Sequence, residues 1–300
     1  MLLRLFLLLP LGLAAETLRF AVMGDSGTGD VRQQAVAERL LRRHREQPLP
    51  FVLLLGDNIY ENGEPADFEP KFKRMYRDLM REGVEFHATL GNHDRRSARS
   101  RKGMAQVEDD AFGFLGRQDE YVYIPVPFVR LIALNSDAWL EELEAGRRPE
   151  ARIARLRSWL AQSGQYRWNI AFFHHPLYSY VTKNRLGMKR GHGGDEKLRP
   201  VLEPLLVEGK VDVVFSGHDH FYQKIRPQNG IHYFVSGAGG QIRPGVDKRH
   251  PNVEFAAEEL HFLEVEMDES RLLYTPIPHQ GRPLHPPRAI SRLPLPPRAR

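Results

Sequence analysis

Cysteine is absent from the chain, so no disulfide can support the fold and no thiolate can hold a metal. The fold must stand on its core, and any metal must be held by oxygen and nitrogen donors. The absence does not itself identify a compartment. Beyond the first fifteen residues no apolar run approaches the ~20 residues that a transmembrane helix requires, which excludes a span from the rest of the chain. Those first fifteen, MLLRLFLLLPLGLAA, carry one arginine, an apolar run and small residues before Glu16. That is the layout of a cleaved signal peptide (1–15), and it places the mature protein outside the cell or in the periplasm. A charged body is missing too. The formal net charge is +5, but residues 283–300 hold four arginines and no acid, and Arg4 lies in the leader. The body is therefore neutral, which makes a nucleic-acid binder the least attractive class. The Pro- and Arg-rich end reads as a solvated tail. No repeat of about 20–50 residues is visible, nor a linker before the tail, so residues 16–282 read as one catalytic domain.

What the chain does contain is a recurring design. Six short apolar runs end in polar clusters: LRFAVMGD (18–25), FVLLLGD (51–57), EFHATLGNHD (85–94), RLIALNSD (130–137), WNIAFFHH (168–175) and VDVVFSGHDH (211–220). Runs apolar on both faces predict central strands covered on two sides. Between them, Phe68, Phe72, Met75, Tyr76, Leu79 and Met80 share one helical face, as do Leu198, Val201, Leu202, Leu205 and Leu206. Residues 30–46 and 150–162 read as further helices. Alternating strands and helices give an α/β fold with binding loops at the carboxyl ends of the strands. After residue 230, HFLEVEM and RLLYTPI flank DES and predict an antiparallel hairpin.

The strand ends deliver Asp25, Asp57 with Tyr60, Asn92 with His93, His174 with His175, and His218 with Asp219 and His220. Carboxylate, imidazole, amide oxygen and phenolate suit iron, zinc or manganese. One carboxylate shared between two ions, with three further ligands for each, would use seven residues. Singly these motifs are weak; their recurrence at five strand ends is not.

In order, GDSG (24–27), GDNIY (56–60), GNHD (91–94), FFHHP (172–176) and GHDH (217–220) resemble the motifs of the purple acid phosphatases. The likeness is to the small tartrate-resistant type within the calcineurin-like metallophosphoesterase superfamily, and it covers roughly residues 17–282. It implies a single-domain, four-layer α/β/β/α sandwich. It also implies that Asp25, Asp57, Tyr60 and His220 hold Fe(III), with Asp57 bridging to a second divalent ion (iron, zinc or manganese) completed by Asn92, His174 and His218. By the same resemblance the ligand is His174, two places before the proline, which leaves His175 to line the pocket or sit exposed. Other branches place Asp-x-His at the first motif; Gly27 here favours the purple branch.

The implied function is hydrolysis of phosphate monoesters by in-line attack of a metal-bound hydroxide, with an acid optimum, on small phosphate esters or phosphoproteins. His93 would contact phosphate and protonate the leaving group, Asp94 would orient His93, and His192 in KRGHGGDEK would touch substrate. Arg243 reads as a solvated surface residue, and the polar insertion 95–120 as a solvated excursion. Two rivals are a phosphodiesterase or nucleotide-processing enzyme on the same site, and a metal-containing binding protein with little turnover.

Overall fold

The six apolar runs become strands that stop just short of their polar clusters. A computed structural model describes residues 16–95 and 104–292, so the expected signal peptide and residues 293–300 lie outside the described residues. Its strands are β1 (Leu18–Met23), β2 (Phe51–Leu54), β3 (Glu85–Ala88), β4 (Tyr121–Val126), β5 (Val129–Ala133), β6 (Trp168–Phe172) and β7 (Val213–Ser216). They continue as β8 (Tyr222–Gln228), β9 (Ile231–Ser236), β10 (Val253–Ala257), β11 (His261–Met267), β12 (Arg271–Pro278) and β13 (Arg288–Ser291). The helices are α1 (Val31–Glu46), α2 (Arg77–Arg81), α3 (Asn92–Arg95), α4 (Ala105–Glu108), α5 (Ser136–Glu144), α6 (Glu150–Leu160) and α7 (Arg199–Glu208).

Two sheets face each other, in the orders β13-β12-β11-β1-β2-β3 and β10-β8-β9-β7-β6-β5-β4. Alternation along the second sheet assigns its two faces. Leu131, Ala133, Ile170, Phe172, Val213 and Phe215 join the core shared with the first sheet. Their neighbours Ile132, Leu134, Ala171, Phe173 and Val214 join a second cluster with Trp139 of α5, Leu156 of α6 and Leu202 of α7. Val36 and Leu40 of α1 pack with the first sheet. Helix, sheet, sheet and helix thus form the expected four layers in one domain.

Register brings the polar clusters together. Met23 lies opposite Leu54 and Leu54 opposite Ala88 across the parallel β1–β2–β3 ladder, while Phe172 lies opposite Phe215 between β6 and β7. The carboxyl ends are therefore level within each sheet, three in one and two in the other, and the Gly24 N–H to Ser236 carbonyl hydrogen bond (2.8 Å) joins the two sets of loops. Among the described residues no helix is long and apolar enough to cross a membrane.

Three expectations change, the first being that the described part of the insertion, residues 104–120, is no solvated excursion, because Val107, Phe112 and Phe114 are buried in the core shared by the sheets. The ridge from Phe68 to Met80 buries the expected Phe68, Phe72, Tyr76 and Leu79, but it is not one helix. It begins with Pro65–Asp67, a 3₁₀ turn, and Glu69–Lys73, a π turn closed by Arg74 N–H donating to the Glu69 carbonyl at 3.0 Å; α2 then follows Tyr76, whose φ of −108° breaks the ridge. The tail is not solvated from residue 283 onward. Ile290 pairs with Leu272 as β13 extends the first sheet, the Arg288 guanidinium meets Glu254 at 2.9 Å, and His285 is buried. Prolines cannot donate to a ladder, but here they flank the edge strand, so composition concealed a docked segment.

Away from the site, His261 lies fully buried in β11. Its Nδ1 donates to the Glu259 carbonyl at 2.8 Å and its Nε2 sits 3.0 Å from Ser236 Oγ. Burial lowers its pKa from the ordinary 6.5 to about 4, against a small opposing effect from the Glu259 carbonyl. The unfolded chain therefore takes up this proton first. Stability present above pH 6.5 falls as pH drops toward 4, by about 3 kcal/mol from this group. Denaturant midpoints at pH 7 and 4.5 should show this fall, and His261→Gln should flatten the dependence by about one proton.

Candidate metal centre

The loops after β1, β2 and β7 place side chains through strained backbone. Asp25, Asp57 and His218 have φ of 57°, 52° and 71°, the left-handed region that non-glycine residues seldom adopt and that clusters at functional sites. Hydrogen bonds stitch the turns together: Asp25 N–H donates to the Gly56 carbonyl at 3.0 Å, Tyr60 N–H to Gly27 at 2.9 Å and Gly217 N–H to His174 at 3.0 Å. Two glycines permit this approach. A Cβ on Gly27 would lie 2.0 Å from the Asn58 carbonyl oxygen, and one on Gly91 would lie 2.3 Å from Asp57 Oδ1.

Both aspartates use one oxygen for anchorage and leave the other free. Asp25 Oδ2 accepts from His218 N–H at 2.8 Å, and Asp57 Oδ1 accepts from His93 N–H at 2.8 Å. The free oxygens meet Tyr60, whose hydroxyl lies 3.2 Å from Asp25 Oδ1 and 3.0 Å from Asp57 Oδ2. His220 Nε2 completes this group, 3.3 Å from both Tyr60 Oη and Asp25 Oδ1. A second group starts from the same Asp57 Oδ2, which is 3.4 Å from His174 Nε2. That nitrogen is 3.1 Å from Asn92 Oδ1 and 3.1 Å from His218 Nδ1. All seven side chains singled out from the sequence thus stand in two adjoining groups that share one oxygen atom.

The donor chemistry fits cations. His174 Nδ1 lies 2.8 Å from the Leu55 carbonyl, which can only accept, so Nδ1 carries the ring proton of the neutral imidazole. Its Nε2 lone pair then faces the lone pairs of Asn92 Oδ1 and Asp57 Oδ2, an arrangement that a positive charge reconciles. Protons compete for that position. Burial alone would depress His174, but Asp57 and then Asp25 raise it to about 10. Burial penalises the Asp57 carboxylate, yet His174 and then His93 hold it below its ordinary value. Burial, followed by the two carboxylates, keeps the Tyr60 phenol far above 10. Ionising Tyr60 thus calls for a cation against its oxygen. Metal uptake at such a centre releases protons.

The surrounding residues depart from expectation in two places, Asp94 and Arg243, and His175 takes the first of its two alternatives, packed 4.5 Å from the His218 ring. Asp94 makes no hydrogen bond to His93. Its oxygens accept from the backbone N–H groups of Asn58 (3.1 Å), Ile59 (2.9 Å) and Gly91 (2.9 Å) and from Gln106 Nε2 (2.7 Å), so it staples the second motif loop to the third. His93 is oriented instead by the Glu61 carbonyl, 2.8 Å from Nδ1, and its ring packs 4.5 Å from that of Tyr60. His175 is buried, not exposed, with Nδ1 3.0 Å from Ser136 Oγ; burial and then His174 push it well below its ordinary pKa. Arg243 reaches the site's edge, donating from Nη1 to His192 Nε2 at 2.5 Å. His192 itself tilts over His218 with ring centroids 4.0 Å apart, and burial lowers its pKa.

Asp219 had no assigned role in the sequence. It is buried, accepting from His192 N–H (2.7 Å), Gly193 N–H (3.0 Å) and Ser179 Oγ (2.5 Å), and so fixes the rim loop. Its position in GHDH held the clue, because a residue between two same-side histidines points the other way.

Residues 18–222 match the calcineurin-like phosphoesterase family. The chain belongs to that family. Membership implies a binuclear metal centre, and Asp25, Asp57 and His174 offer ligand atoms within 4.8 Å of one another, as do His174, His175 and His218. The chain is 26% identical over 326 residues to human tartrate-resistant acid phosphatase type 5, covering 90% of this chain and 94% of that protein. It is 28% identical over 244 residues to purple acid phosphatase 17 of Arabidopsis thaliana, covering 75% and 69%. The fold also resembles the yellow lupin purple acid phosphatase PPD1, with a TM-score of 0.75 at 19% identity over 93% of this chain and 54% of that one. A similar likeness (TM-score 0.76, 17% identity, 92% and 89% covered) is to GAP50, the anchor in the inner membrane complex of Plasmodium.

Proposed function

We propose that this phosphoesterase is a purple-type phosphatase that hydrolyses phosphate monoesters at an Fe(III) paired with a divalent iron, zinc or manganese ion. The observation that carries the reading is Asp57 Oδ2, the one oxygen common to both donor groups. Asp25, Tyr60 and His220 would hold the trivalent ion with it; Asn92, His174 and His218 would hold the divalent ion. When bound, such a pair clamps a phosphoryl group and makes water a nucleophile near or below neutral pH.

The chain's own residues supply the rest. Asp94 and Asp219 hold the loops that carry the ligands and His192, so the donors need little reorganisation when substrate arrives. The Glu61 carbonyl fixes His93 Nδ1–H and leaves Nε2 free to bind the ester and deliver a proton to the leaving oxygen. His192, whose ring tilts over that of His218, would contact the substrate's phosphoryl oxygens. Asp25, Asp57, Tyr60, His174 and His220 are buried and would shield the ions they hold from bulk water.

Metal analysis together with a visible spectrum of the purified protein tests the assignment. A ferric ion bound by phenolate gives a coloured protein. Tyr60→Phe should remove the colour while the fold persists; a wild-type protein that is fully metallated, active and colourless would reject the ferric–phenolate assignment.

A further inference from the structure

Residues 181–190, VTKNRLGMKR, form a hairpin on the rim that leads into His192. Val181 bridges to Val246 and Lys183 to Lys189. Asn184 holds the tip: its side-chain oxygen accepts from Leu186 N–H at 2.9 Å and Met188 N–H at 3.0 Å, and its own N–H donates to the Met188 carbonyl at 2.8 Å. This ordered tip keeps Leu186 82% and Met188 57% exposed. The hairpin is tied to the loop after β9, since Thr182 N–H and hydroxyl both meet the Gly245 carbonyl, at 2.7 and 3.1 Å. That loop adds Ile242, 37% exposed, and Arg243.

One rim thus carries three exposed apolar side chains among five exposed cations: Lys183, Arg185, Lys189, Arg190 and Arg243. Among the described residues only Lys189 has a carboxylate within reach, Glu196 at 3.9 Å. The nearby Glu258 is turned inward, accepting from Gly245 and Val246 N–H at 2.6 and 3.1 Å.

We propose that this rim docks on an anionic lipid surface, with the cations against phosphate head groups and Leu186, Met188 and Ile242 at the acyl boundary. Charge complementarity selects an anionic occupant, and the apolar side chains decide which kind. A soluble polyphosphate would pair with the cations but leave the apolar groups in water, whereas an anionic bilayer satisfies both. The contact is peripheral and involves no span. It goes beyond the proposed hydrolysis and does not depend on it.

Flotation of residues 16–300 with vesicles tests the proposal. The chain is expected to float with equimolar phosphatidylcholine and phosphatidylglycerol and not with phosphatidylcholine alone. The double variant Lys183→Glu/Arg185→Glu should weaken the association about tenfold or more, and Leu186→Ser/Met188→Ser should weaken it by about tenfold. Both variants should keep the wild-type thermal midpoint, because all four side chains are exposed. Absence of flotation on anionic vesicles overturns the proposal, as does flotation unchanged by either pair, which would assign it to another basic surface. Sensitivity to charge reversal without sensitivity to the serine pair also overturns it and reassigns the rim to soluble polyanions. The readout is binding, so a chain that floats without hydrolysing phosphate esters defeats the proposed function and leaves this inference intact.

Discussion

Asp57→Ala is expected to lower kcat/KM by about 10⁴-fold or more, equivalent to over ~5 kcal/mol of transition-state stabilisation. It should also reduce the metal content from two ions to at most one. Both effects follow from one atom. Asp57 Oδ2 stands 3.0 Å from Tyr60 Oη and 3.4 Å from His174 Nε2, so its loss removes a donor from each group and the anion proposed to lie between the two ions. Asp57→Asn keeps an oxygen for the His93 N–H but loses the charge, and should behave close to the alanine variant. That comparison separates a ligand role from a merely structural one, because the backbone anchor survives in Asn. Rates and metal content measured on the same reconstituted samples provide the check.

His93→Ala should be damaging in a different way. Both metals should remain bound, while turnover falls about 10²-fold with p-nitrophenyl phosphate and as much as ~10⁴-fold with an alkyl phosphate. A nitrophenolate leaves without a proton; an alkoxide needs one at the moment of departure. If His93 Nε2 delivers that proton, the loss grows with the basicity of the leaving group. The largely buried His93 ring packs on Tyr60 and its Nδ1 is fixed by the Glu61 carbonyl, which leaves one nitrogen for this task. An equal loss on both substrates would move His93 from proton donor to phosphate contact.

Much of this architecture is readable in the sequence because hydrophobicity and ligand chemistry coincide there. Each buried run of β1, β2, β3, β6 and β7 is followed directly by its polar cluster, so identifying the strand also locates the loop. The α/β/β/α layering is implied by the family resemblance, and the structure bears it out, with Leu131 facing one cluster and Ile132 the other. What escaped is governed by hydrogen bonds without periodicity. Asp94 was expected to orient His93 and Asp219 had no assigned role, yet both are buried acceptors for backbone amides. Arg243 looked like a solvated arginine because nothing in SGAGGQIRPG discloses that its turn folds back to His192. Proline content concealed β13, and the π turn at Glu69–Lys73 divided a ridge whose apolar face is otherwise continuous.

Two cations are expected to share Asp57 Oδ2, and anomalous diffraction from crystals of the reconstituted, active protein would locate them. Two peaks should appear about 3.5–4 Å apart on either side of that oxygen, one among Asp25, Tyr60 and His220, the other among Asn92, His174 and His218. A single peak in active protein, or a pair lying away from Asp57, would contradict this sharing.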